Sequence, residues 1–368
     1  MTENRIALKK DLRLLLTIVG ILTLIGFVFI YSSSSVYALE RFGSSFYFLK
    51  KQLLFFIPAI FGLIIFALLP KHFIKKFTPL FFLISLILTA LTLFSQLSVK
   101  LHGSARWLSI GNFTMQPSEI LKLFLFLYIG FFLEKKQKKL KSFWYSYLPF
   151  LAILGMTFLL LLKQPDFGSV VTIFITSIVI FFVAEFSLIH LLVTILVAIP
   201  AVVYLIYSKS YRLNRILIFL NPWSDPRGRG FQIIQSLIAI GSGQFWGVGI
   251  SNSAQKFFYL PMQHTDFIFP IIAEETGFIG SFIILFLYFL FFYFGIRIAL
   301  KLKTIFGFFA TLGFIVLISL QAIVNLMVVS GLLPTKGLGL PFISYGGTSF
   351  VTLYCMIGLI ANFTRWEN

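Results

Sequence analysis

Long runs of apolar residues, separated by short polar segments, recur along the whole chain. Ten runs come close to the length of about 20 residues that a helix needs to cross the hydrocarbon core of a bilayer. They lie at residues 12–31, 53–69, 77–96, 118–133, 146–162, 168–184, 188–207, 267–296, 305–330 and 345–363. The pattern therefore predicts an all-α membrane protein, built as a polytopic bundle of ten transmembrane helices.

The first run is longer than the core of a signal peptide, and no small-residue cleavage site follows it. We therefore expect it to be retained as the first helix. No internal repeat, linker or low-complexity tract divides the chain, which predicts a single transmembrane domain over residues 1–368. The longest polar segment, at about residues 208–265, separates the seventh helix from the eighth.

The composition also excludes a soluble protein. The chain is 59% hydrophobic and only 11% charged, and a soluble globular protein could not cover so much apolar side chain. The net charge of +18 belongs to the membrane flanks, so we expect no nucleic-acid partner. Cys355 is the single cysteine and lies in an apolar run, which excludes an intramolecular disulfide and predicts inert packing.

Basic residues are distributed unequally between the two ends of the predicted helices. The side that holds both termini carries 16 of them in its segments, and the short loops of the opposite side carry seven. Because basic residues accumulate in cytoplasmic loops, both termini are predicted to be cytoplasmic. Charge runs such as residues 134–141 are interpreted as solvated anchors. The predicted outer segments, at residues 102–119, 163–169, 208–265 and 330–349, carry the unusual sequence, so we expect the chemistry there.

Three of the 12 acidic residues lie within ten positions, where the long polar segment meets the eighth apolar run. A carboxylate at the edge of a bilayer is costly unless it is paired or faces a wet cavity, so Asp266 is the leading candidate for the chemistry. Pro270 would interrupt a helix that began at Asp266, which favours an irregular, accessible turn; a helix cap is the alternative. Glu274 and Glu275 lie deeper and are assigned a structural role, as partners of a cation or acceptors of hydrogen bonds.

Two further outer segments combine acidic and basic residues. Glu119 and Lys122 are i, i+3 neighbours near the start of the fourth helix and can form an ion pair. The pair either locks helices together or leaves Lys122, with Arg106 upstream, to contact an anionic headgroup. Asp166 occupies a tight turn, either as the cap of the sixth helix or as a contact to substrate or a cation.

The remaining candidates lie in the long segment and before the last helix. Residues 208–265 are basic and rich in glycine, which favours a segment on or in the membrane surface over a soluble domain, and the common nucleotide-binding motifs are absent. His264 stands beside Asp266, but no other histidine has ligand spacing, so a zinc site is not expected. Lys336, the only charge in residues 330–349, is either a plain loop lysine or a phosphate contact.

Five long motifs follow one another along the chain. They are HGSARWLSIGNFTMQPSEILKL, QPDFGS, DPRGRGFQIIQSLIAIGSG, YLPMQHTDFIFPIIAEETGFIG and LPTKGLGLPFISYGGTS. In order and spacing they resemble the SEDS family (shape, elongation, division and sporulation), the polytopic peptidoglycan glycosyltransferases of bacteria. Two further stretches, YSSSSVYALERFGSSFYFLKKQ and NSAQKFFYLP, are more similar to the division member than to the elongation member.

The resemblance implies ten transmembrane helices in the bacterial inner membrane. It also implies polymerisation of lipid II, the undecaprenyl-pyrophosphate-linked disaccharide pentapeptide, into glycan strands on the outer face. The partners it implies are a class B penicillin-binding protein, which is a transpeptidase, and other cell-division proteins.

The resemblance also assigns roles to residues. It places the essential carboxylate of the family at Asp266 and basic motif positions at Arg106, Lys122 and Lys336. Asp266 would act as general base, or would position a divalent cation, Mg²⁺ or Mn²⁺, that does so. We expect the substrate-binding set to be completed by Arg212, Arg215, His264 and Asp166. The chain departs from the usual family pattern at Ala105, Gln244, Met262, Gln263 and Pro270, which removes one arginine and one glutamate.

Other functions remain as alternatives. A transporter that moves lipid II would need buried charge across both leaflets, and the two halves of the sequence show no inverted repeat or matching broken helices. A noncatalytic scaffold would leave the outer motifs and Asp266 without a role. Within the family, an elongation-type role in cell shape is the alternative to division.

Overall fold

The computed structural model describes residues 2–94, 98–101, 104–110, 113–257 and 260–366. The helices of this part are α1 (Thr2–Phe42), α2 (Tyr47–Leu68), α3 (Lys71–Phe94), α4 (Pro117–Lys136), α5 (Leu148–Lys163), α6 (Phe167–Val183), α7 (Leu188–Tyr207), α8 (Ser210–Leu220), α9 (Phe231–Ser242), α10 (Ile268–Lys301), α11 (Ile305–Val329) and α12 (Gly347–Arg365). The strands are β1 (Ser98–Leu101), β2 (Ser104–Ile110) and β3 (Phe113–Met115). A 3₁₀ turn, Gln137–Lys139, and a π-turn, Phe143–Tyr147, lie between α4 and α5.

Within the described residues, each of the ten apolar runs corresponds to a helix, as α1 to α7 and α10 to α12. In the described ranges, eight of these helices are long and apolar enough to span a membrane. The other two are α4, which carries Glu119, Lys122 and Glu134, and α6, which has only 17 residues. The predicted polytopic helical bundle is therefore confirmed.

The bundle has a well-packed centre and one peripheral helix. Most residues of α11 and α12 are buried, whereas no residue of α7 is. Helices α1 and α10 run antiparallel and are joined at both ends. At one end, Asp11 Oδ2 lies 2.6 Å from Lys301 Nζ and 3.3 Å from Arg297 Nε; at the other, Ser32 donates to Glu275 at 2.7 Å.

The segment at residues 102–119 contributes β2 and β3 to a small antiparallel sheet with the order β1-β2-β3. In it, Leu108 of β2 pairs with Ser98 on one side and with Met115 on the other. The predicted all-α fold did not include this sheet. Its strands have only three to seven residues, and an alternating pattern does not stand out over so short a length. Four residues of the corresponding motif lie outside the described ranges: His102, Gly103, Gly111 and Asn112.

The long segment folds into two helices, α8 and α9, and then packs against a break in α10. Gly277 adopts φ 67° and ψ −159°, and a Cβ there would lie 2.4 Å from the Gly247 nitrogen, so the position requires glycine. The backbone groups freed by the break are paired across this contact. Phe278 N donates to Gln244 O at 2.9 Å, and Val248 N donates to Glu274 O at 3.0 Å.

Both glutamates near the break hold other segments. The Glu274 carboxylate accepts hydrogen bonds from the Ser253 hydroxyl and, at 2.9 Å, from Ala254 N. Glu275 accepts from Ser32 and lies 3.7 Å from the buried Lys256 ammonium. These are the contacts that a structural role requires, since a buried carboxylate is costly without hydrogen bonds or a cation.

Candidate functional site

A cavity of about 1010 Å³ opens at the end of the bundle where the long segment lies. Its wall is formed by β2, β3, the turn between α5 and α6, α8, the turn before α10 and the loop between α11 and α12. Eight of the candidate residues line it: Arg106, Glu119, Asp166, Arg212, Arg215, His264, Asp266 and Lys336. Folding therefore brings all four unusual outer segments to one site, and its volume suits a large ligand.

Asp266 lies in the turn that precedes α10. The residue at the helix cap is Phe267, and no side chain caps the helix, so the capping alternative for Asp266 is wrong. Pro270 falls in the first turn of α10, where a proline is tolerated because its missing N–H would have no intrahelical partner. The carboxylate of Asp266 is thus free to face the cavity.

Buried amides fix the position of this turn. Asn325 Nδ2, on α11, donates to the Asp266 carbonyl at 2.8 Å and to the Leu338 carbonyl at 2.6 Å. One turn earlier on α11, Gln321 Nε2 donates to the Gly339 carbonyl at 3.0 Å. Sequence reasoning missed both residues, although an amide within an apolar helix is itself a signal, because it needs a partner.

The loop before α12 is bound directly to the same turn. Ser344 Oγ donates to the Thr265 carbonyl at 2.6 Å, and Tyr345 N donates to the His264 carbonyl at 2.9 Å. A Cβ added to Gly337 would lie 3.4 Å from Asp266 Oδ2, so the backbone next to Lys336 passes close to the carboxylate. The Asp266 turn and the Lys336 loop therefore form one rigid unit.

The protonation of Asp266 is shifted towards neutral pH. Burial raises the pKa of Asp266 to about 6, and the positive charges of Arg215 and Arg106 oppose that rise. A carboxyl group with such a pKa is mostly ionised at pH 7 and is a stronger base than an ordinary aspartate.

His264 is packed among aromatic rings. Its ring centroid lies 4.1 Å from that of Phe48, 5.7 Å from that of Tyr345 and 6.1 Å from that of Tyr37. Burial lowers the pKa of His264 to about 4, so the imidazole is neutral at pH 7. Within the described part of the chain its Nδ1 is buried and has no hydrogen-bond partner.

Arg106 and Asp166 hold the turn between α5 and α6. Arg106 Nε donates to the Gln164 carbonyl at 2.9 Å, and Nη2 donates to the Pro165 carbonyl at 2.5 Å. Asp166 caps α6 by accepting from Ser169 N at 3.3 Å and Ser169 Oγ at 2.8 Å, so the capping interpretation is confirmed. Arg106 Nη1 and Asp166 Oδ1 are 3.8 Å apart, and both side chains also face the cavity.

The predicted pair of Glu119 and Lys122 is present. Lys122 Nζ lies 2.7 Å from Glu119 Oε1, and the lysine side chain is only 2% exposed. Glu119 lines the cavity, whereas Lys122 is not among the residues of the wall. Lys122 would therefore affect a substrate only indirectly, by holding the Glu119 carboxylate in position.

The other basic residues lie on α8 and in the last loop. Arg212 is buried and donates to the Leu205 carbonyl at 2.7 Å and to the Tyr211 hydroxyl at 2.9 Å. Arg215 is exposed and donates to the Thr335 carbonyl at 3.2 Å. Burial lowers the pKa of Lys336, and the nearby Asp166 raises it.

The charges around the cavity do not cancel. Two of its three carboxylates already have basic partners, Glu119 with Lys122 and Asp166 with Arg106. Three further cationic side chains, Arg212, Arg215 and Lys336, line the same cavity as Asp266. The cavity is therefore suited to an anionic ligand.

The same residues can be tested for a divalent cation. In the described ranges no three His, Cys, Asp or Glu side chains come together as a metal site. Mg²⁺ is usually held by one or two carboxylates, with substrate phosphates and water as further ligands. Asp266 fits that arrangement.

Comparisons with known proteins agree with the motifs. Residues 12–368 match the FtsW/RodA/SpoVE family, described as cell cycle proteins. The chain is 41% identical to a probable peptidoglycan glycosyltransferase FtsW from Geobacter sp. (strain M18), over 93% of each chain. It is 40% identical to stage V sporulation protein E of Bacillus subtilis (strain 168), over 96% of this chain and 97% of that protein.

A solved structure supports the fold as well. A chain from a peptidoglycan synthase complex, described for its coordination of polymerization and crosslinking, aligns with a TM-score of 0.79 at 29% identity. The alignment covers 96% of this chain and 98% of that one. On its motifs, its fold and its relatives, the chain belongs to the FtsW/RodA/SpoVE family of multi-pass membrane proteins.

Proposed function

We propose that this chain is a peptidoglycan glycosyltransferase that polymerises lipid II into glycan strands during cell division. The observation that carries the proposal is the Asp266 carboxylate, which has no side-chain partner among the described residues and lies in a basic cavity at the boundary of a helical bundle. Relatives named as FtsW glycosyltransferases support the activity and favour division over elongation.

In the proposed reaction, Asp266 accepts the proton of a sugar hydroxyl on one substrate. The hydroxyl oxygen forms the new glycosidic bond at the anomeric carbon of the second substrate. The bond from that carbon to the pyrophosphate oxygen breaks, and undecaprenyl pyrophosphate leaves. A pKa of about 6 suits this role, because the group is ionised at pH 7 yet retains basicity. In the alternative role, Asp266 would instead hold a divalent cation, Mg²⁺ or Mn²⁺, which would supply stabilisation of negative charge.

Stabilisation of the leaving group falls to the basic wall. Arg215 and Lys336 line the cavity and would stabilise the charge that develops on the pyrophosphate. Arg212 adds a guanidinium whose other donors are already bound to protein. Arg106 acts mainly by holding the adjacent turn, and Lys122 acts by holding Glu119.

The site also defines the expected surroundings of the protein. The bacterial inner membrane would be its location, with both termini cytoplasmic and the cavity on the outer face, as the distribution of basic residues indicates. Lipid II is the expected substrate. A class B penicillin-binding protein and other division proteins are the expected partners, and the similarity to a peptidoglycan synthase complex supports the first of them.

The distribution of buried charge favours catalysis over transport. With the exception of Asp11, the buried charged side chains of the described residues lie at the cavity end of the bundle: Glu119, Lys122, Asp166, Arg212, Lys256, Glu274 and Glu275. A path for a polar headgroup across both leaflets would need such groups along its length.

The test is polymerisation of purified lipid II, with and without the cognate transpeptidase, by the wild type and by Asp266→Asn. The proposal expects long strands from the wild type and none from a variant that elutes as a folded protein. Strand synthesis at the wild-type rate by Asp266→Asn would overturn it. Movement of lipid II across vesicles by both proteins, without strands, would support transport instead.

A further inference from the structure

The last turn of α4 and the segment that follows it carry five lysines beside exposed aromatic rings. Helix α4 begins at the cavity, and its 20 residues rise about 30 Å, so this turn lies at the opposite end of the bundle. Four of the lysines are exposed and one is half-buried: Lys135, Lys138, Lys139, Lys141 and Lys136. A run of solvated anchors would need no particular arrangement of these side chains.

Two of the lysines converge on one aromatic ring. Lys136 Nζ lies 4.0 Å from the centroid of the Tyr145 ring, and Lys139 Nζ lies 4.4 Å from the same centroid. Each ammonium is attracted to the ring, and the two positive charges that share this ring repel each other. A phosphate between them would convert the repulsion into two charge-assisted hydrogen bonds.

Among the described residues, neither Lys136 nor Lys139 forms an ion pair with a carboxylate. Glu134 is the only acidic residue between positions 120 and 165, and it forms an ion pair with Lys75 of α3. The turn is also shaped in advance. Ser146 Oγ donates to the Lys139 carbonyl at 2.8 Å, and the Tyr145 backbone N–H donates to Ser142 Oγ at 3.4 Å. A ligand would therefore meet a preorganised site.

The neighbouring side chains indicate where the phosphate comes from. Trp144 is 76% exposed, and Phe143 beside it is 40% exposed. Exposed tryptophan at the end of a membrane helix lies at the level of the lipid headgroups, so an anion bound next to it would be attached to a lipid. We propose that residues 135–145 form a binding site for the headgroup of an anionic phospholipid, with its phosphate between Lys136 and Lys139.

The site can be tested by native mass spectrometry of the full-length chain, titrated with dioleoylphosphatidylglycerol in a non-ionic detergent. The double variant Lys136→Gln/Lys139→Gln should bind the first lipid roughly thirtyfold more weakly, since a lysine near an anionic surface contributes about a factor of five. Tyr145→Leu should weaken binding as well, because the two lysines lose their common support. Equal binding of phosphatidylglycerol by the wild type and the double variant would overturn the proposal.

Controls separate this site from general attraction of charge. Lys9 and Lys10 are exposed and lie at the same end of the bundle, so Lys9→Gln/Lys10→Gln makes the same change in net charge elsewhere. The proposal expects this variant to bind phosphatidylglycerol as the wild type does. A specific site would be contradicted if both double variants lost the same affinity for phosphatidylglycerol. It would also be contradicted if the wild type bound dioleoylphosphatidylcholine as tightly as dioleoylphosphatidylglycerol. Displacement of the lipid by an equal concentration of inorganic phosphate would identify a phosphate-ion site instead.

Discussion

Replacement of Asn325 by alanine tests whether the buried amide positions the carboxylate of Asp266. The change removes the two hydrogen bonds from Nδ2 to the Asp266 and Leu338 carbonyls, of 2.8 and 2.6 Å. A buried polar group left without a partner costs about 1–3 kcal/mol. Two carbonyls lose their donor, but the unpaired Oδ1 of Asn325 is removed as well. We therefore expect the free energy of unfolding of the variant to be roughly 2–4 kcal/mol lower than that of the wild type.

We expect Asn325→Ala to lower the catalytic rate without weakening the binding of the substrate. A misplacement of about 1 Å at a reacting group can lower a rate about a hundredfold, so kcat should fall between roughly tenfold and a hundredfold. The KM for lipid II should change little, because Asn325 is not among the residues that line the cavity. The assay is the initial rate of strand synthesis by purified protein, below the unfolding temperature of each variant.

Two further variants make the result interpretable. Asn325→Asp keeps the volume of the side chain but has no Nδ2 donor, so it should share the loss in kcat. Ser330→Ala removes a hydroxyl at the C-terminal cap of the same helix. Within the described residues this hydroxyl bonds only to the Leu326 carbonyl, at 2.7 Å, so the variant should retain the wild-type kcat. Wild-type kcat in either Asn325 variant would refute the reasoning.

Four other outcomes are expected. The initial rate should fall as the pH drops through about 6, because the raised pKa of Asp266 means that acidification removes the basic carboxylate; a pH–rate profile that is flat there would contradict this. Lys336→Gln should raise the KM for lipid II about tenfold or more, the worth of a lost charge-assisted hydrogen bond, and an unchanged KM in a Michaelis analysis would exclude the contact. Arg106→Lys cannot reproduce the donors of the guanidinium and should lower the unfolding temperature by an amount equivalent to about 1–2 kcal/mol; equal melting curves would count against that role. Gly277→Ala should cost more than about 3 kcal/mol and yield little folded protein by size-exclusion chromatography, whereas Gly155→Ala, where an added Cβ meets nothing within 4 Å, should elute as the wild type does.

Local patterns allowed much of this architecture to be predicted from the sequence. Apolar runs of membrane-spanning length gave the ten helices, because a helix that faces lipid must be apolar over its length. Spacing of i, i+3 gave the pair of Glu119 and Lys122, and a short outer turn gave the cap at Asp166. Each of these features depends on residues that are close in sequence.

Contacts between distant residues could not be predicted in the same way. Asn325 bonds to a carbonyl 59 positions away, and nothing in its local pattern identifies that partner. The depth of Lys122 behind Glu119 depends on how α4 packs against other helices, and the small sheet depends on pairing between short strands. Motif resemblance assigned a role to Arg106, but it did not indicate that this side chain is occupied with the carbonyls of Gln164 and Pro165.

The break at Gly277 has a consequence for the biogenesis of the protein. A helix that is interrupted within a bilayer exposes peptide groups that lipid cannot satisfy. Here the groups that pair with α10 come from residues 244–249, which leave the ribosome before α10 does. The order of synthesis thus makes the partner available as α10 enters the membrane. Moving residues 244–249 behind α10 by circular permutation would leave the same final contacts but would expose the break during insertion.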